Sequence, residues 1–234
     1  MSDSNITAKE HQVVEIMGLI RRDIPLNWLF DIDDTLYTSD QYREVGTERE
    51  LCEIAAELEM DYTTAKMHIS AKRQEIENTM GRKSTLTETV YALGITCERW
   101  SELRHRAWRP KEFLAPDSEL CAIMHRIIGA TPECRIAFGT NAPKLVGREV
   151  LRVLGIAESF PVFGPESFGI SKPDPNFFLC IAASFNTQPQ HWISIGNRKM
   201  SDAEPAIVAG FCAAIVIRDR DELIEFLEKL FPKI

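Results

Sequence analysis

The sequence lacks any Cys-x-x-Cys pair, any basic surplus, any long low-complexity tract and any apolar stretch near membrane-span length. Each absence removes a class of function. A membrane span needs about 20 apolar residues, so a membrane role is not expected. Formal net charge is -8 over 234 residues, which argues against a nucleic-acid polymer as partner, since that needs a basic surface. Small anionic ligands stay admissible, because a local site can be cationic on an acidic protein. Cys52, Cys97, Cys121, Cys134, Cys180 and Cys212 are scattered, mostly in apolar surroundings. They read as buried reduced thiols of a cytoplasmic protein, not a zinc site or disulfide framework. The polar start, Met1 to Asn5, has no charged-then-apolar pattern of a secretory signal. What is present suits a soluble globular chain: 44% hydrophobic and 26% charged residues, enough for one large domain or a core with an insert.

Residues 8–20 read as an amphipathic helix, with Val13, Val14, Ile16, Met17 and Ile20 on one side. Leu26 to Phe30 reads as a buried strand: short, apolar, and bounded by Pro25 and a polar stretch. From Gln41 to Arg109 the spacing is helical throughout. Leu51, Ile54, Ala55 and Leu58 share one face, and Ala65, Ile69 and Ile76 another, with Gly81 and Gly94 as stops. After Pro116 the rhythm changes. Helices over 117–128, 143–154, 175–185, 202–209 and 220–230 alternate with strands over 134–138, 160–163, 192–195 and 212–217. That alternation implies βαβ units and a parallel sheet covered on both faces. The expected fold class is α/β, a Rossmann-like doubly wound parallel sheet core with an inserted all-helical cap domain. The divisions are a helical extension over 1–25, a core over 26–40 and 111–234, and a cap over 41–110.

Asp31 and Asp33 stand where the first strand gives way to a loop, in Phe30-Asp31-Ile32-Asp33-Asp34-Thr35. In an open α/β sheet, ligands bind at that end of the strands. One carboxylate can attack phosphorus while the other handles a proton, and both can help hold a hard cation. Alone, such residues also cap helices or close Asx turns. Three further segments end later strands: Gly139-Thr140-Asn141, Ser171-Lys172-Pro173-Asp174-Pro175, and Gly196-Asn197-Arg198-Lys199-Met200-Ser201-Asp202. Each has a plain alternative as a helix cap, a solvated lysine or a helix-terminal charge.

Together and in this order they resemble the haloacid dehalogenase superfamily, specifically its phosphatases, over nearly the whole chain past the first two dozen residues. Phe30 to Tyr37, Thr140-Asn141-Ala142 and Lys172-Pro173-Asp174-Pro175 are similar to the pyrimidine 5′-nucleotidase-like branch. The resemblance implies Asp31 as nucleophile, Asp33 as general acid and base, and Lys172 as the catalytic cation. It implies Thr140 and Asn141 at the substrate phosphate. It implies Mg²⁺ held by Asp31, the main-chain carbonyl of Asp33, Asn197 and Asp202. The fourth motif departs from the pattern: Asn197 stands where those enzymes usually carry Asp, which removes one negative charge and should weaken Mg²⁺. The expected partner is a small phosphorylated metabolite, with a nucleoside 5′-monophosphate as leading substrate. The alternative is a catalytically impaired protein that binds a phosphorylated ligand.

Overall fold

The computed structural model describes residues 15–20, 25–130 and 133–232. A six-stranded sheet is formed by β1 (Glu15–Gly18), β2 (Asn27–Phe30), β3 (Ile136–Gly139), β4 (Val162–Phe163), β5 (Trp192–Gly196) and β6 (Ala213–Val216), ordered β1-β6-β5-β2-β3-β4. The pairings among β2 to β6 are parallel. β1 runs antiparallel along β6.

That edge strand corrects the helix expected over 8–20. Ile16 and Met17 pair with Ile215 and Ala214, while Val13 and Val14 lie outside the described residues. The short apolar pattern fits either element, and pairing with an open sheet edge decides for strand.

The two sheet faces bury alternate residues of each strand, as a period of two requires. Trp28, Phe30, Ile136, Phe138, Ile193 and Ile195 face one apolar cluster, closed by α5 (Ser118–Ala130), α6 (Lys144–Leu154) and α9 (Arg220–Leu230). Leu29, Ala137, Trp192 and Ala214 face the other, closed by α7 (Pro175–Ser184) and α8 (Glu204–Val208). Helix faces follow the same logic. In α6, Val146, Val150, Leu151 and Leu154 are buried, and Gly155 ends the helix in the left-handed region at φ 84°.

Between β2 and α5 lie four helices: α1 (Asp40–Glu57), α2 (Tyr62–Met80), α3 (Leu86–Ala92) and α4 (Cys97–Ala107). Their N-caps are Ser39, Asp61, Thr85 and Thr96, each accepting a main-chain N–H through its side chain. They share a separate apolar core of Ile54, Ile69, Val90, Ile95, Trp100 and Leu103.

Candidate active site

Parallel register brings the functional loops to one end of the sheet. Phe30 pairs with Phe138 on one side and Ile195 on the other, so the residues that follow leave three neighbouring strands together. The Asp31 amide still donates to the Ile195 carbonyl at 2.8 Å. The chain then folds back at once: the Leu36 amide donates to the Ile32 carbonyl at 3.0 Å, and Asp34 takes a positive φ of 59°.

This tight turn lays two hydroxyls over two carboxylates, each four residues on. Thr35 Oγ1 donates to Asp31 Oδ2 at 2.8 Å, and the Tyr37 hydroxyl donates to Asp33 Oδ1 at 2.7 Å. The second Asp33 oxygen accepts from Thr140 Oγ1, also at 2.8 Å. Lys172 Nζ, buried, donates to Asp31 Oδ1 and to Asp202 Oδ1, both at 2.6 Å. Asp31 and Asp33 therefore have different company: a cation and a hydroxyl for the first, two hydroxyls for the second.

The loop carrying Lys172 is itself clamped. Asn141 Nδ2 donates to the Lys172 carbonyl and the Lys172 amide donates back to Asn141 Oδ1, each at 3.0 Å. Asp202 anchors its own loop, accepting from the Arg198 amide at 2.9 Å, and fills space that only glycine leaves. A Cβ at Gly196 would lie 2.5 Å from Asp202 Cβ. The expected helix over 202–209 begins here as a π turn, Lys199–Ala203, before α8.

Burial pushes the Asp31 carboxyl up to about 7; Lys172 opposes that, while Asp202 and Asp33 add to it. Burial alone lowers Lys172, but Asp202 and Asp31 beside it hold it above its ordinary value and keep it charged. Burial, then the charge of Asp33, raises Tyr37 far above its usual range, so its hydroxyl remains a donor.

No family model and no curated protein sequence matches the chain. Solved structures do. A HAD phosphatase from Thermococcus onnurineus aligns with TM-score 0.56 and 17% identity, over 88% of this chain and 98% of that one. A 2-haloacid dehalogenase from Pseudomonas syringae pv. Tomato DC3000 gives 0.54 and 19%, over 88% and 100%. A β-phosphoglucomutase from Clostridium difficile gives 0.52 and 16%, over 89% and 97%.

The chain has the fold of the haloacid dehalogenase superfamily.

In that fold the expected residues fall into two linked groups. Asp31, Lys172 and Asp202 touch, and so do Asp33 and Thr140, while Asn141 reaches the first group through the Lys172 backbone. Asn197 follows β5 directly, and its Oδ1 is buried with no hydrogen-bond partner among the described residues. A buried oxygen left without a partner at the end of β5 is the kind of donor a hard cation takes. Among the described residues no three His, Cys, Asp or Glu side chains form a metal-holding group.

Sequence reasoning passed over Thr35 as a partner of Asp31 and Tyr37 as a partner of Asp33. The available signal was the repeated four-residue spacing, which a tight turn converts into contact. Arg104 was also passed over. It lies 37 residues from Asn141, and its bond to the Asn141 carbonyl at 2.7 Å has no local signature.

Proposed function

We propose that the chain is a cytoplasmic, Mg²⁺-dependent phosphomonoester hydrolase working through an aspartyl-phosphate on Asp31. The observation that carries this is Asp33. It is a second carboxylate held by Tyr37 and Thr140 rather than by a cation, which is what a group must be to lend and recover a proton.

Asp31 attacks phosphorus in line, and its bond to Lys172 spreads the charge of the nucleophile as the phosphoryl group arrives. The departing alkoxide takes a proton from Asp33. Water then attacks the aspartyl-phosphate, Asp33 accepts the proton from that water, and free phosphate and Asp31 are restored. Thr140 orients the phosphoryl group, and Asn141 keeps Lys172 in register. Mg²⁺, held by Asp31, the Asp33 carbonyl, Asn197 and Asp202, would neutralise charge between two anions.

The helices α1 to α4 act as a cap. A cleft of about 860 Å³ separates α3 and α4 from the Lys172 loop and includes Asn141 and Lys172 in its wall. Small-molecule sites run from about 300 to 1,000 Å³, so the cleft is of metabolite size; it meets the site at Asn141 and Lys172, while Asp31 and Asp33 do not line it. A nucleoside 5′-monophosphate is the substrate that the motif resemblance favours.

The test is hydrolysis of a phosphomonoester panel, nucleotides and sugar phosphates included, with Mg²⁺ titrated and Asp31→Asn as control. We expect metal-dependent turnover reduced at least about a thousandfold in the control. One observation favours a second reading, an impaired ligand-binding protein: Asn197 carries one charge fewer than the usual Asp. Under the hydrolase reading, Asn197→Asp lowers the Mg²⁺ concentration for half-maximal activity by about tenfold. If wild type stays inactive at high Mg²⁺ and Asn197→Asp restores turnover, the binding reading is right.

A further inference from the structure

We infer that Arg104 is a positioning residue that couples the seating of the helical cap to the placement of Lys172. The inference rests on the hydrolase reading for its kinetic meaning, though not for its structural content.

Arg104 sits on α4, but its guanidinium reaches the core. Nη1 donates to the main-chain carbonyl of Asn141 at 2.7 Å. The same guanidinium is aimed from behind. Nε donates at 2.6 Å to Glu50 Oε1 on α1, which also accepts from Trp108 Nε1 at 2.5 Å, and the group lies 5.6 Å from the centre of the Trp100 ring. Glu50 is buried, with 5% of its surface exposed, and the Arg104 side chain is 17% exposed. The Glu50–Arg104 pair is thus sheltered, and it holds the guanidinium in place for a charge-assisted bond to the Asn141 carbonyl, which itself lies at the surface.

What lies beyond that carbonyl gives the contact its consequence. The Asn141 side chain grips the backbone of Lys172 from both sides, and Lys172 Nζ bridges Asp31 and Asp202. The route from cap to catalytic cation runs through four residues and three contacts: Glu50, Arg104, Asn141, Lys172. When α4 is seated, the Asn141 loop is pinned and the lysine is aimed. When α4 moves away, the carbonyl loses its partner and the clamp on Lys172 is free to drift. A lysine at 104 keeps the charge but has no planar fork to serve Glu50 and Asn141 at once.

The experiment is a double-mutant cycle with two readouts. Arg104→Met and Arg104→Lys are each made in wild type and in Asn141→Ala, which cuts the grip on Lys172 while leaving the carbonyl that Arg104 binds. If Arg104 acts through Asn141, either substitution lowers kcat by about tenfold in wild type but by less than about twofold in Asn141→Ala. Equal losses in both backgrounds overturn the inference. The second readout is hydrogen exchange at the Lys172 amide, which Asn141 Oδ1 protects. We expect Arg104→Lys to speed it by about tenfold relative to the core strands. Unchanged protection also overturns the coupling. Should Arg104→Met fail to fold, Arg104→Lys alone completes the cycle. Should wild type hydrolyse nothing, the hydrolase reading falls, while the amide exchange still decides the coupling.

Discussion

At the scale of single residues, the site sacrifices stability for charge placement. Asp31 is buried and its carboxyl is raised to about 7 by that burial, against the pull of Lys172. A carboxyl whose folded value lies above its unfolded value of about 3.9 binds more protons folded than unfolded between the two, so stability falls as pH rises through that window. Asp31→Asn does not titrate. In the metal-free protein its stability relative to wild type is therefore expected to improve as pH rises from about 4 to about 7. Thermal melts of both proteins at several pH values check this, and parallel profiles would refute it. Tyr37 offers a complementary case. Tyr37→Phe removes the hydroxyl from Asp33 Oδ1 and leaves Thr140 as the remaining holder. Under the proposed hydrolase reading, kcat is expected to fall by about tenfold with the substrate KM changed less than twofold, because that reading gives Asp33 the proton and not the phosphate. Asp31, Asp33 and Thr140 could be singled out from sequence because they follow strands, whereas Lys172 lies nine residues past β4, in the loop before α7, and not at the strand end expected for it. Thr35 and Tyr37 could not be assigned roles that way, since their contacts depend on how tightly residues 32–36 turn.

At the scale of elements, the helices and the strands β2, β3, β5 and β6 were legible because periodicity and end signals agreed. Asp174 with Pro175 opens α7, Gly81 closes α2 and Gly155 closes α6, each as its chemistry suggests. The failures are where tertiary context outvotes local pattern: Glu15–Gly18 became a strand, and Lys199–Ala203 a π turn shaped by Asp202 bonding back to Arg198. Gly46 shows context reversing a rule in a measurable way. Replacing a mid-helix glycine by alanine ordinarily stabilises by about 0.5–1 kcal/mol. In α1, however, a Cβ at position 46 would lie 2.4 Å from the ring of Trp108, which packs edge-on against Tyr42 and donates to Glu50. Rings cannot yield as a flexible chain end does. Gly46→Ala is therefore expected to destabilise by about 1–3 kcal/mol. Urea denaturation decides the sign, and any stabilisation would mean that Trp108 repacks without cost.

At the scale of the whole molecule, the sheet has an edge to protect, and β1 protects it. β1 is largely exposed and, among the described strands, pairs with β6 alone, so its burial contributes little. Its value lies in what it covers. Without it the backbone of β6 is an open edge, ready to pair with another chain. It also reaches the site: Lys199, between Asn197 and Asp202, is ion-paired with Glu15. The attachment depends on Gly18. Its φ is +81°, and a Cβ there would lie 2.3 Å from the Cys212 carbonyl oxygen, which accepts from the Leu19 amide at 2.8 Å. A left-handed conformation costs an ordinary residue about 1–2 kcal/mol, and the clash adds to it. That sum can detach a four-residue strand without unfolding the layers beneath. Gly18→Ala is accordingly expected to leave the main unfolding transition within about 1 kcal/mol of wild type while exchange at the Leu19 amide rises at least about tenfold. The same variant should self-associate with rising concentration in sedimentation, because the freed β6 edge then finds its partner in a second copy. A variant that stays monomeric with Leu19 still protected would mean that β1 is held by something other than the close approach at Gly18.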